Sequence, residues 1–126
     1  MKYTFFIVLS VLFASFELQA QVTTIAPAEA EQKMQKRKTK VLDVRTPKEF
    51  VEGHLPNAVN IDVMDSASFI KQIQLLKKRK NYVVYCRSGK RSLKASAILV
   101  QNGFKNIYNM EGGILEWKGT LQKQSN

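Results

Sequence analysis

Short apolar runs alternate along the chain with segments that favour helices, and this alternation constrains the fold more than any other feature. Val41–Val44, Ala58–Ile61 and Tyr82–Tyr85 are such runs, and each is followed by residues that begin a helix. Weaker strand signals occur at Val22–Ile25 and Ile107–Tyr108. Strands separated by helices pair in parallel through right-handed crossovers. The sequence therefore predicts an α/β fold with a central parallel sheet flanked by helices.

Boundary residues define two helices in the first half of this pattern. One helix is predicted from Ala28 to about Lys36, directly after Pro27. The second begins with a capping box and ends at Gly53. The residues of that capping box are Thr46 at the N-cap, Pro47 at N1 and Glu49 at N3.

Apolar spacing and capping residues predict three more helices in the second half. The first is capped by Asp65 or Ser66 and has Phe69, Ile73 and Leu76 on one face. The second is capped by Ser92, runs to Asn102 and stops at Gly103. The last follows Gly112–Gly113 and carries Leu115 and Trp117.

The first twenty residues have the layout of a secretory signal peptide. A positive charge in Met1–Thr4 precedes the apolar run Phe5–Phe16, and Glu17–Ala20 ends in a small residue before Gln21. The apolar run is shorter than the ~20 residues that span a bilayer. We therefore expect cleavage after Ala20, a periplasmic or secreted protein, and no stable membrane insertion afterwards. An uncleaved anchor and a buried N-terminal helix are the alternatives.

The chain is strongly basic, with 20 Lys and Arg against 10 Asp and Glu and a formal net charge of +10. The basic residues concentrate in Lys33–Lys40 and Lys77–Lys80, without interleaved aromatic side chains. Such runs at helix ends are usually solvated and suit the helix dipole. We therefore expect no nucleic-acid partner, while a weak attraction to anionic envelope surfaces stays open.

The single cysteine and single histidine limit the chemistry that the chain can perform. One cysteine excludes an internal disulfide framework and a multi-cysteine zinc site. We expect no metal and no cofactor. One cysteine is nevertheless sufficient for a catalytic nucleophile.

Cys86 is the candidate nucleophile because it directly follows the predicted strand Tyr82–Tyr85 and precedes a helix. Sites in parallel sheets form where the carboxyl ends of strands meet helix N-termini. The backbone N–H groups of the following loop, together with the cations Arg87, Lys90 and Arg91, would stabilise a thiolate and lower its pKa. The same loop would hold a small dianion.

Five segments of the chain together form a recognisable pattern. In order, they are Leu42–Phe50, Gly53–Ile61, Tyr85–Ser92, Gly103–Met110 and Glu111–Trp117. They resemble the corresponding segments of single-domain rhodaneses, which belong to the rhodanese-like sulfurtransferase family. The resemblance covers nearly all of residues 21–126, which we take as one domain.

The resemblance implies a five-stranded parallel sheet flanked by helices and a thiosulfate-type sulfurtransferase. Cys86 would carry a sulfane sulfur as a persulfide and pass it to a thiol or cyanide. Thiosulfate would be the anionic donor and sulfite the leaving group, without a general base. The substrate-binding loop would comprise Arg87, Ser88, Gly89, Lys90 and Arg91.

Several residues outside this loop are expected to support the fold. The candidates for a supporting role are Ser92, Asp43 and Arg45. We expect Asp43 and Arg45 either to hold the Cys86 loop in place or to form an ion pair or cap. We interpret His54 as a hydrogen-bonded structural residue rather than a catalytic or metal-binding one. The core candidates are Phe50, Phe104 and Trp117.

Two other functions compete with sulfur transfer from thiosulfate. A cysteine-dependent phosphatase or arsenate reductase would need Arg six positions after the cysteine, but that position is Ser92 and Arg91 comes one residue early. A module that binds a partner or receives sulfur from a partner protein, without turnover on small donors, is the second alternative.

Overall fold

The computed structural model describes residues 22–124 as a parallel five-stranded sheet with helices on both faces. The expected signal peptide lies outside the described residues and stays a prediction. The strands are β1 (Thr23–Ile25), β2 (Thr39–Asp43), β3 (Val59–Asn60), β4 (Asn81–Tyr85) and β5 (Asn106–Met110). Their spatial order is β1-β5-β4-β2-β3, with every pairing parallel. The predicted fold class is confirmed.

Between residues 22 and 124, four α-helices and one short 3-10 helix connect or follow these strands. They are α1 (Pro27–Met34), α2 (Pro47–Glu52), α3 (Ser66–Ile73), α4 (Lys90–Gln101) and the 3-10 turn Gly113–Glu116. Within residues 22–124, none of these helices is long and apolar enough to cross a membrane.

Alternating side chains of the strands fill two cores, one on each face of the sheet. Val84 packs with residues of α3 and α4, whereas its neighbour Val83 packs against α1. This alternation follows from the two-residue period of a strand. Because both faces are covered, the strands are nearly continuous apolar runs, as the sequence indicated.

Most predicted helix boundaries agree with the structure. Thr46 caps α2 through a complete capping box, and Gly53 ends that helix. Asp65, rather than Ser66, caps α3, because its side chain accepts a hydrogen bond from the Ser68 N–H.

Three boundary predictions were wrong. The helix α3 ends at Ile73, so Leu76 packs against the core from the loop that follows. The helix α4 begins at Lys90 with Gly89 as N-cap, which places Ser92 inside the helix. The final helix is a single 3-10 turn with Trp117 at its C-cap, because the backbone is already extended at Trp117, with a ψ of 127°.

Candidate active site

Cys86 lies immediately after β4, a central strand of the sheet, at the edge where the parallel strands end. Its side chain is almost completely buried, with 1% of the residue exposed. Only three loop residues separate it from the first residue of α4. The sulfur therefore lies in the strand-to-helix turn that the sequence predicted.

The loop after Cys86 turns its backbone N–H groups toward the sulfur. Gly89 has a φ of 107°, a conformation that favours glycine, and its N–H donates to Cys86 Sγ at 3.1 Å. The backbone N–H groups of Ser88 and Ser92 lower the pKa of the thiol further. This arrangement at the start of the twelve-residue α4 has the geometry of an anion-binding cradle.

The pKa of the Cys86 thiol is set by two opposing effects. Burial raises the pKa, but hydrogen bonds from the Ser92 side chain and from the N–H groups of Ser92, Gly89 and Ser88 lower it. The net pKa is lower than that of an ordinary thiol, so the reactive thiolate forms more readily. The sequence predicted that both backbone N–H groups and the three cations would stabilise the thiolate, and the hydrogen bonds are the larger of these two contributions.

Arg91 is held by a carboxylate, which changes its expected role. Its Nη1 and Nη2 donate to the two carboxylate oxygens of Glu49 on α2, at 2.7 and 3.0 Å. This pairing lowers the pKa of Glu49 to about 2. Arg91 also interacts with the Cys86 charge, but its main contact joins α2 to the start of α4. Arg87 and Lys90 are exposed and remain the candidate cations for a substrate anion.

Asp43 and Arg45 form a buried ion pair at the end of β2, beside the strand that carries Cys86. The guanidinium contacts the Asp43 carboxylate at 2.7 Å and also donates to the Gly53 carbonyl oxygen. Tyr85 donates to the same carboxylate at 2.5 Å and accepts a hydrogen bond from the Leu55 N–H. Burial, followed by the charge of Asp43, raises the pKa of Tyr85, which keeps the phenol protonated.

This network explains how β4 is held just before the reactive residue. Tyr85 points to the face opposite Cys86, and its hydroxyl links β4 to β2 and to the loop at Leu55. Asp43 and Arg45 thus act as an ion pair that fixes the strand ends, one of the two roles that the sequence left open.

The 3-10 turn supports the loop from the other side. The N–H groups of Ile114 and Leu115 donate to the carbonyl oxygens of Cys86 and Arg87, at 2.9 and 3.2 Å. A Cβ on Gly113 would lie 2.5 Å from the Cys86 carbonyl oxygen. Glycine at position 113 therefore allows the turn to approach the Cys86 loop closely.

His54 has the contacts that a structural role requires. Its Nδ1 lies 3.0 Å from the Phe50 carbonyl oxygen, and its ring stacks on that of Phe50 at a centroid distance of 3.8 Å. Among the predicted core residues, Phe104 is completely buried, whereas Phe50 and Trp117 are half-buried. In residues 22–124, no three His, Cys, Asp or Glu side chains group as metal ligands.

Three residues make contacts at the site that their sequence patterns did not indicate. The patterns predicted Glu49 as part of a helix cap, Tyr85 as the last residue of a strand, and Gly113 as a residue before a helix. The capping box gave no sign that Glu49 also holds Arg91. Only the Gly112–Gly113 pair carried a usable signal, since a glycine at a close backbone approach is often indispensable.

Comparison with known proteins assigns this fold and cysteine loop to a family. A model of the rhodanese-like domain matches residues 26–120. The chain belongs to the rhodanese-like domain family, as the sequence resemblance predicted.

Curated relatives match only part of their own length. The tRNA uridine(34) hydroxylase of Pelagibacter ubique is 41% identical over 86 residues, which is 68% of this chain and 29% of that protein. The enzyme of the same name from Onion yellows phytoplasma is 38% identical over 96 residues, 74% of this chain and 31% of that protein. The chain thus spans less than a third of these relatives. Both relatives are named for an activity on tRNA, whereas the sequence of this chain led us to expect no nucleic-acid partner. The two are at odds.

Solved structures of similar size share the whole fold. A rhodanese-like domain protein from Staphylococcus aureus is 30% identical with a TM-score of 0.72, covering 82% of this chain and all (100%) of that one. A rhodanese-related protein from Thermoplasma volcanium is 28% identical with a TM-score of 0.71, covering 81% of this chain and 99% of that one.

Proposed function

We propose that this protein is a sulfurtransferase that carries a sulfane sulfur as a persulfide on Cys86. The observation that supports this function most directly is the buried thiol with a lowered pKa in a cradle of backbone N–H groups. A thiolate in such a cradle is a strong nucleophile, and the N–H groups that stabilise its charge also suit the negative outer sulfur of a persulfide.

The first step is an attack of the Cys86 thiolate on the outer sulfur of thiosulfate. A bond forms between Cys86 Sγ and that sulfur, while the sulfur–sulfur bond of thiosulfate breaks and sulfite leaves with its electron pair. No proton moves, so a general base is unnecessary. Exposed Arg87 and Lys90 are the side chains available to attract the dianion to the loop.

The second step returns the enzyme to its starting state. A thiolate or cyanide attacks the outer sulfur of the persulfide, forms a new bond to it, and releases the Cys86 thiolate. The hydroxylation in the names of the curated relatives belongs to proteins of which this chain matches less than a third, and the proposal does not extend to it.

Turnover with thiosulfate and cyanide tests this function. We expect thiocyanate to form with the purified protein and none with Cys86→Ser, because serine cannot form a persulfide. Lys77→Ala, at the opposite end of the sheet from the Cys86 loop, serves as a control for a substitution outside the site and should keep its rate.

A sulfur relay that accepts sulfur only from a partner protein is the second candidate, and the exposure of its loop residues Arg87, Ser88 and Lys90 supports it. A protein that shows no turnover with thiosulfate, yet takes sulfur from a persulfidated protein donor on Cys86, would favour the relay. No release of phosphate from aryl phosphates is expected under either function, because Ser92 replaces the phosphatase arginine.

A further inference from the structure

Eight basic residues converge at the amino-terminal edge of the sheet, opposite the Cys86 edge. They precede three neighbouring strands, β2, β4 and β5, whose first residues pair with one another. We call this surface the basic edge; its members are Lys36, Arg37, Lys38, Lys77, Lys78, Arg79, Lys80 and Lys105. All except the half-buried Lys80 are exposed.

Contacts between the loops make the basic edge continuous. The Asn81 N–H donates to the Lys38 carbonyl oxygen at 3.0 Å, which joins the loops before β4 and β2. The Lys78 side chain lies against Gly103, in the loop that carries Lys105. In residues 22–124, neither of the two ion pairs involves a member of the basic edge.

The acidic residues lie toward the other end of the molecule. Of the ten acidic residues, Glu17 is outside the described part. The remaining nine lie at the last residue of a strand or within nine residues after it, whereas the members of the basic edge lie within four residues before the first residue of a strand. These nine are Glu29, Glu31, Asp43, Glu49, Glu52, Asp62, Asp65, Glu111 and Glu116. Helix C-termini at the basic edge accommodate a few cations, but they do not require eight. The domain is therefore strongly polarised.

We propose that the basic edge docks on an anionic lipid bilayer and leaves the Cys86 edge facing the aqueous phase. The strand β1 also begins at the basic edge, so an uncleaved anchor, the alternative to cleavage after Ala20, would attach the domain to the membrane on this side. Cations near an anionic leaflet are attracted within about a Debye length, so this edge would lie at the membrane.

Apolar side chains beside the cations favour lipid over nucleic acid. Leu75 is 85% exposed and Val59 is 51% exposed, and both line a groove of about 350 Å³ rimmed by Lys40, Lys77 and Lys80. Aliphatic side chains next to cations suit the boundary between headgroups and acyl chains. No aromatic residue is among the large exposed hydrophobic residues of the described chain, and aromatics are what single-stranded bases stack on.

Vesicle co-sedimentation of the full chain distinguishes binding through the basic edge from binding through the apolar run. Phosphatidylcholine vesicles report binding through the apolar run, and the additional affinity for vesicles that also contain phosphatidylglycerol reports electrostatic docking. We expect this additional affinity to be clear at low salt and to decrease as salt is added.

A variant with Lys77, Lys78, Arg79 and Lys80 replaced by Gln should lose most of the additional affinity. A decrease of at least about tenfold is expected, because each basic residue near an anionic surface contributes about fivefold. Lys48, Lys94, Lys118 and Lys123, all exposed and outside the basic edge, provide a control with the same change in net charge. Replacing Lys36, Arg37 and Lys38 by Gln gives a second test if the first variant fails to fold.

Two results would overturn the proposal. Equal losses in the basic-edge and control variants would show that net charge, rather than this surface, governs binding. Binding of tRNA that requires the basic edge, together with vesicle binding that does not, would assign the surface to nucleic acid.

Discussion

Ser92 contributes to the Cys86 site in two ways from inside α4. Its single hydroxyl proton has two acceptors within reach: it donates to the Gly89 carbonyl oxygen at 3.1 Å, which holds the loop, or turns to the Cys86 sulfur, which lowers the pKa of the thiol. A sequence motif could indicate Ser92 as a supporting residue but not this contact, because the start of α4 at Lys90 determines where the hydroxyl points.

Ser92→Ala should raise the pKa of Cys86, since burial remains while a stabilising hydrogen bond is lost. The alkylation rate of Cys86 with iodoacetamide increases with pH as the thiolate forms, and the pH midpoint of this increase gives the pKa of Cys86. In wild-type protein the midpoint should lie below the ordinary thiol value of 9.0. The midpoint should move to higher pH in the variant. Ser96→Ala, a buried hydroxyl on the same helix without a hydrogen-bond partner, should leave it unchanged. An unchanged midpoint in Ser92→Ala would show that the hydroxyl does not stabilise the Cys86 thiolate.

Arg87→Ala should slow persulfide formation from thiosulfate. A charge-assisted hydrogen bond contributes about 1.5–3 kcal/mol, and the exposure of Arg87 brings the expected loss to the lower end, about tenfold in rate. Lys94→Ala removes the same charge one turn into α4 and should have little effect. Single-turnover kinetics at two salt concentrations measure both rates. Equal slowing in the two variants would indicate a general charge effect.

At the scale of elements, the Glu49–Arg91 pair fastens α2 to the start of α4. Both side chains are about one quarter exposed, at 27% and 26%, so the pair contributes at most about 1 kcal/mol to stability. Because the pKa of Glu49 falls from 4.5 to about 2 on folding, this contribution is complete above about pH 4.5 and is lost as the pH falls through about 2.

Glu49→Gln tests this pair while keeping an acceptor for the capping box. The variant should unfold at a lower temperature than wild type near neutral pH, and the difference should shrink as the pH approaches 2. Thermal unfolding monitored by circular dichroism across this range measures the effect. Glu52→Gln, on the same helix, should show no such dependence. A difference in melting temperature that stays constant with pH would contradict the ion-pair assignment.

At the scale of the whole molecule, the sequence predicts the class of fold because the alternation of strands and helices is a local pattern. It also places Cys86 correctly, since the end of a strand is visible in the apolar run before it. The spatial order of the strands is not local, and neither are the contacts of Arg91 with Glu49 and of Tyr85 with Asp43, each across 42 residues. Those contacts became apparent only in the folded chain.

The intact mass of the purified protein after incubation with thiosulfate shows whether Cys86 carries sulfur. We expect the addition of one sulfur atom per chain, its removal by cyanide or a thiol, and no addition in Cys86→Ser. An unchanged mass after incubation with both thiosulfate and a persulfidated protein donor, or an equal addition in Cys86→Ser, would show that Cys86 is not the sulfur carrier.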